Sequence, residues 1–159
     1  MQTLPGIGSV AVKLYCTKHS HNLEQQLRCA WSSGVLASLI PAKLAKQYCA
    51  WEIASTVLSA YAARVHGFGI ARNPGIDVLL YLAGQRNIAR VLDEYAPKHG
   101  EHVVVAIAHR AEHDQGIFVP EDLRPLEECT RTECGDRSRV TRLAVFPVEE
   151  RIYRMSESE

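Results

Sequence analysis

The chain of 159 residues lacks several things that would define its class at once. Its 18 Lys and Arg match 18 Asp and Glu, so it carries no formal net charge. A protein that coats nucleic acid through bulk charge is therefore excluded, and any such contact must come from a local patch. No run approaches the roughly 20 apolar residues of a membrane span. The N-terminal residues lack a basic stretch followed by an apolar one, so no secretory signal is expected. There is no phosphate-binding loop, no Gly-x-Ser-x-Gly elbow and no kinase motif set. Gly6-x-Gly8 precedes a strand, the wrong order for a dinucleotide loop, and Ser32-Ser33-Gly34 closes a helix. Neither a repeat nor a low-complexity segment is visible. The expectation is a protein that binds rather than catalyses, with no cofactor and no metal.

What is present is enough apolar material for one core. Hydrophobic residues make up 47% of the chain, and the length suits a single domain, 1–159, with 156–159 as a frayed tail. Alternation predicts a strand over Ile7–Cys16 through Val10, Val12 and Leu14. Asn22 is read as the cap of a helix carrying Leu23, Leu27, Ala30 and Trp31 on one face. Val35–Ile40 reads as a strand ended by Pro41, and Ala42–Tyr48 as a helical turn. Ala50–His66 is the longest helical pattern, with Ile53, Val57, Leu58, Tyr61 and Val65 inward. Gly67 and Gly69 break it.

Asn73 and Pro74 predict the next helix start, with Ile76, Leu79, Leu80 and Ala83 on one face and Gly84 as its left-handed end. Ile88, Val91, Leu92 and Tyr95 follow at i, i+3, i+4, i+7. Val103–Ala108 is a continuous apolar run suited to a strand buried on both faces. His109–Gln115 reads as a loop, and Pro120 as the start of a short helix through Leu126. Asp136 is expected to cap a further helix, and Pro147 to start a terminal helical turn. Alternating strands and helices predict an α/β or α+β domain, a small central sheet covered by helices.

Five cysteines, Cys16, Cys29, Cys49, Cys129 and Cys134, show no metal-type spacing. The expectation is five free thiols in a cytoplasmic protein, the alternative being a local Cys129–Cys134 disulfide. His19-x-His21 and His109-x-x-x-His113 are two close histidine pairs. The second would place both rings on one helical face, but Arg110 rather than Glu stands directly after His109, so the zinc-protease order is absent and surface histidines are expected. Glu127-Glu128 and Glu149-Glu150 read as solvated faces.

Arg64, Arg72, Arg86 and Arg90 bracket the glycine joints, with Asn73 and Asn87 beside them. Arginine suits phosphate because its planar fork makes two hydrogen bonds. A helix start flanked by Arg86 and Arg90 is a plausible anion site. Composition alone favours ordinary surface arginines.

The order of motifs carries a resemblance. An Ala-rich helix over Leu58–Val65 is followed by Gly69-Ile70-Ala71, Asp77, Leu79-Leu80-Tyr81-Leu82-Ala83-Gly84, Gln85-Arg86-Asn87-Ile88 and the Val103–Ile107 run. This set, over about Ala50–Ala108, resembles the small regulatory subunit of the KEOPS complex, the PRPK-binding protein family, in an archaeal version. Asn87 stands where that pattern usually has Gln, and Asp77 where Glu is commoner. The ends, 1–49 and 109–159, match poorly.

The resemblance implies a non-catalytic, cytoplasmic subunit with two partners: the kinase-like ATPase of the complex and the acceptor end of tRNA. Its role would be to support threonylcarbamoyladenosine formation. It implies Arg64, Arg72, Asn73, Arg86, Asn87 and Arg90 as the tRNA-facing set. Leu143, Val145, Phe146, Ile152 and Tyr153 form the apolar stretch read as the kinase-binding surface. The alternatives are an enzyme using a small phosphorylated molecule at the Arg86–Arg90 helix start, and an adaptor that binds protein only.

Overall fold

The computed structural model describes residues 2–4, 7–113 and 119–134, and at 2, 3 and 113 the backbone only. The strands are β1 (Gln2–Leu4), β2 (Gly8–Lys18), β3 (Leu36–Pro41) and β4 (His102–Arg110). The helices are α1 (His21–Leu27), α2 (Ala42–Ala45), α3 (Ala50–Val65), α4 (Pro74–Ala83) and α5 (Ile88–Tyr95). The four strands form one sheet in the order β1-β2-β4-β3, antiparallel at every step. The domain is thus of the α+β kind, a small sheet covered by helices. No helix among the described residues is long and apolar enough to cross a membrane.

β4 is the centre of the molecule because its sequence leaves neither face polar. Val103, Val105 and Ile107 pack on one side with Leu23 of α1. Val104, Ala106 and Ala108 join the larger core on the other side, with Ile53 and Val57 of α3 and Val78 and Leu80 of α4. That two-sided burial is why an antiparallel strand here reads as a continuous apolar run. The strand extends further than the apolar run: His109 is fully buried within β4 rather than opening a loop. The His109/His113 helical-face spacing is therefore not realised.

The helices follow their local signals, with instructive exceptions. α1 starts one residue before Asn22, because Ser20 is the cap and its Oγ accepts from the Leu23 N–H at 3.1 Å. The helix also stops at Leu27, and Ala30–Ser33 forms a 3-10 turn. In α3, Ile53, Val57 and Tyr61 are buried as expected, while Leu58 is half-buried and Val65 exposed. α4 is buried nearly all round, including Val78, Tyr81 and Leu82, so the single apolar face expected for it is too narrow a description. It is enclosed by α3, β3 and α5. Gly84 ends α4 in the left-handed region at φ 68°, as the sequence predicts. The predicted helix after Pro120 is not formed, and a 3-10 turn at Leu126–Glu128 stands in its place.

Residues 119–134 act as a strap. The Arg124 N–H donates to the Cys16 carbonyl, and the Arg131 N–H to the Tyr48 carbonyl. Disulfides join Cys16 to Cys129 and Cys49 to Cys134. The expectation of five free thiols is overturned, as is the Cys129–Cys134 alternative; Cys29 alone is free, and exposed. Each bond spans a long stretch of chain, with separations of 113 and 85 residues, so no local spacing announces it.

Candidate functional site

The sequence-nominated residues fall into three groups. Arg72 and Asn73 precede the N-terminus of α4, and both are exposed. Asn73 caps the helix, its Oδ1 accepting from the Gly75 N–H at 2.9 Å. Arg86, Asn87 and Arg90 surround the N-terminus of α5, all exposed. Asn87 caps that helix, accepting from the Arg90 N–H at 3.1 Å. The ten-residue α4 separates these two groups by about 15 Å, so the structure does not merge them into one cluster.

Arg64 stands apart and corrects the grouping. Its Nη2 sits 2.7 Å from Oδ2 of the fully buried Asp77 and also donates to the Ala71 carbonyl. Asp77 further accepts from the Ala71 N–H at 2.8 Å. Burial pushes the Asp77 carboxyl up, opposed by the Ala71 N–H and by Arg64. Arg64 therefore fastens the 67–73 loop to α4, facing inward rather than toward a ligand. Gly69 serves the same contact, since a Cβ there would strike the Arg64 guanidinium. The space beside Gly69 is thus filled by Arg64.

The apolar residues read as kinase-binding (Leu143, Val145, Phe146, Ile152 and Tyr153), the helix after Asp136, the Pro147 turn and the tail all lie outside the described residues.

Two features were not nominated from sequence. The first is a cleft of about 310 Å³ between α1, β3 and α4. Its polar lining comes from His19, Glu24, Arg28, Ser38 and Asn73. Ser38 helps to close its floor by donating to the Gly75 carbonyl at 2.7 Å. The second is a cluster at one end of that cleft. Glu24 Oε2 lies 3.8 Å from His19 Nε2 and 3.5 Å from His99 Nε2. His19 is only 4% exposed, and desolvation holds its pKa below the ordinary value, against the pull of Glu24. The His19-x-His21 spacing was the one hint of this cluster. His99 is remote in sequence and is brought in by the turn before β4.

Neither a family model nor a curated protein matches this chain.

Proposed function

We propose that the protein is a non-catalytic subunit of a KEOPS-type complex. It would bind the complex's kinase-like ATPase and the single-stranded acceptor end of tRNA, in support of threonylcarbamoyladenosine formation. The reading rests on the ordered motif from Leu58 to Ile107. The observation that carries it is the exposed pair Arg86 and Arg90 flanking the N-terminus of α5, inside that motif. Cations beside a helix start that points backbone N–H groups outward suit phosphate. Arg72, about 15 Å away at the other end of α4, suits the same reading for an extended strand rather than a single phosphate. The contribution of the chain is positioning through binding energy, with no covalent step of its own. A cytoplasmic location is part of the proposal, and the two disulfides fit it in organisms such as hyperthermophilic archaea that keep intracellular cystines.

The test is a binding comparison between intact tRNA and tRNA trimmed of its single-stranded 3′ end. The proposal predicts that trimming removes most of the affinity, and that the chain co-elutes with its genomic kinase-like partner at micromolar concentration. Equal binding of the two RNAs would exclude the acceptor-end role. Separate elution would exclude the complex.

A further inference from the structure

We propose that His19, Glu24 and His99 form a binding site for a divalent transition-metal ion of the zinc class. The inference is independent of the reading above.

The three candidate ligand atoms lie within 4.8 Å of one another. Two of the spacings, 3.5 Å from His99 Nε2 to Glu24 Oε2 and 3.8 Å from His19 Nε2 to the same oxygen, are close to what an ion requires. Tetrahedral zinc with bonds of about 2.0–2.2 Å holds neighbouring donors about 3.3 Å apart. Small side-chain rotations of the exposed Glu24 and His99 would therefore close the set around an ion. Two imidazoles and one carboxylate are a donor set that suits zinc and its neighbours and discriminates against calcium and magnesium, which prefer oxygen ligands.

The second observation is the state of His19. Its ring is more than nine-tenths buried, yet its Nδ1 has no hydrogen-bond partner among the described residues. Its Nε2 points to Glu24 at a distance too long for a hydrogen bond. Burying an imidazole without satisfying it is unfavourable. An ion held on Nε2 would give the buried ring the strong interaction that Glu24, at 3.8 Å, does not make directly. Metal binding takes the neutral imidazole, with the Nε2 lone pair as the donor.

The backbone builds the site rather than leaving it to chance. The His19 N–H donates to the Glu101 carbonyl at 2.8 Å, and the Gly100 N–H donates to the His19 carbonyl at 2.9 Å. This pair of bonds fixes the His99 turn beside the end of β2. Gly100, at φ 88°, allows the chain to turn there. Ser20 caps α1, which sets the direction in which Glu24 projects. The His21 ring lies 6.0 Å from the His99 ring, outside the set of three. Because His19 and Glu24 also line the cleft, water or a small anion would have access to the ion from that side.

The test uses the full chain carrying Cys29→Ser, so that the free thiol does not bind metal, after stripping with a chelator. Cobalt(II) is titrated and followed by its visible absorption, and zinc is then used to displace it. The expected result is saturable binding of one ion per chain in the micromolar range. His99→Ala should weaken it by roughly tenfold or more, since even loss of an outer-shell partner of a ligand costs that much. His99 is exposed, so that variant keeps its fold. His19→Ala should act likewise, and His66→Ala, on the exposed end of α3, should change nothing. Zinc should raise the melting temperature of the parent but not of His99→Ala. No saturable binding up to millimolar metal, or binding equal in the parent and His99→Ala, would overturn the proposal.

Discussion

His19 contributes a pH dependence whose sign follows from its surroundings. Desolvation holds its pKa below 6.5, and His99 pushes the same way, while Glu24 and Glu101 pull upward. As pH falls through about 6.5, the unfolded chain takes up a proton that the native ring still refuses. Stability must therefore decline from that point toward the lower native pKa, and level off below it. In chelator, the stability of the parent should fall faster between pH 7 and 5 than that of His19→Asn, which lacks the titration. Parallel curves for the two, measured by denaturant unfolding, would show that His19 is not held neutral. In the sequence His19 stood out only through the His19-x-His21 spacing, which says nothing of its burial. Its burial depends on Glu101 and Gly100 meeting it across the sheet, which no local pattern encodes. Arg64 illustrates the same limit. It sits at the end of an Ala-rich helix like any surface cation, and only Asp77, thirteen residues on, turns it inward.

At the scale of elements, α4 depends on a close approach that its sequence hides. Gly75 lies in its first turn, and a Cβ there would collide with the Ala37 carbonyl oxygen of β3. Alanine is ordinarily the better helix former by about 1 kcal/mol. Here Gly75→Ala should instead destabilise by about 1–3 kcal/mol, because overpacking forces α4 off the strand. Gly84→Ala should cost about 1–2 kcal/mol for a different reason: φ 68° is strained for any side chain, although the space is open. Thermal or denaturant unfolding of both variants checks this, and a stabilised Gly75→Ala would show that α4 and β3 are less tightly docked than described. Elements with a local signature were legible. α3, the Asn73–Pro74 start, the Gly84 end and the β4 run all follow from spacing and caps. What spacing did not supply was environment. α4 reads as one-faced but is enclosed by three neighbours, and β4 continues through His109 because β2 pairs with it as far as Arg110.

The whole molecule is held by two covalent ties that only the fold brings together. Cys16–Cys129 and Cys49–Cys134 fasten the 119–134 strap to β2 and to the start of α3. Crosslinks spanning 113 and 85 residues restrict the unfolded chain strongly, and loss of such a bond typically costs about 2–5 kcal/mol. Alkylation of the denatured, unreduced chain should modify Cys29 alone. The double variant Cys16→Ser/Cys129→Ser should lose about 2–4 kcal/mol. Five reactive thiols under those conditions would contradict the pairing.

The central functional claim is that phosphate is met at the start of α5. Its most direct test is tRNA binding by Arg86→Glu across a range of salt concentrations. With no net charge to help, the parent should show a shallow slope, about two to four phosphates at roughly 0.7 each for a single strand. Arg86→Glu should weaken binding roughly tenfold or more and lower the slope by about one, with the melting temperature almost unchanged. Unaltered affinity and slope in Arg86→Glu would contradict the account, and would remove the α5 start as the RNA-facing surface.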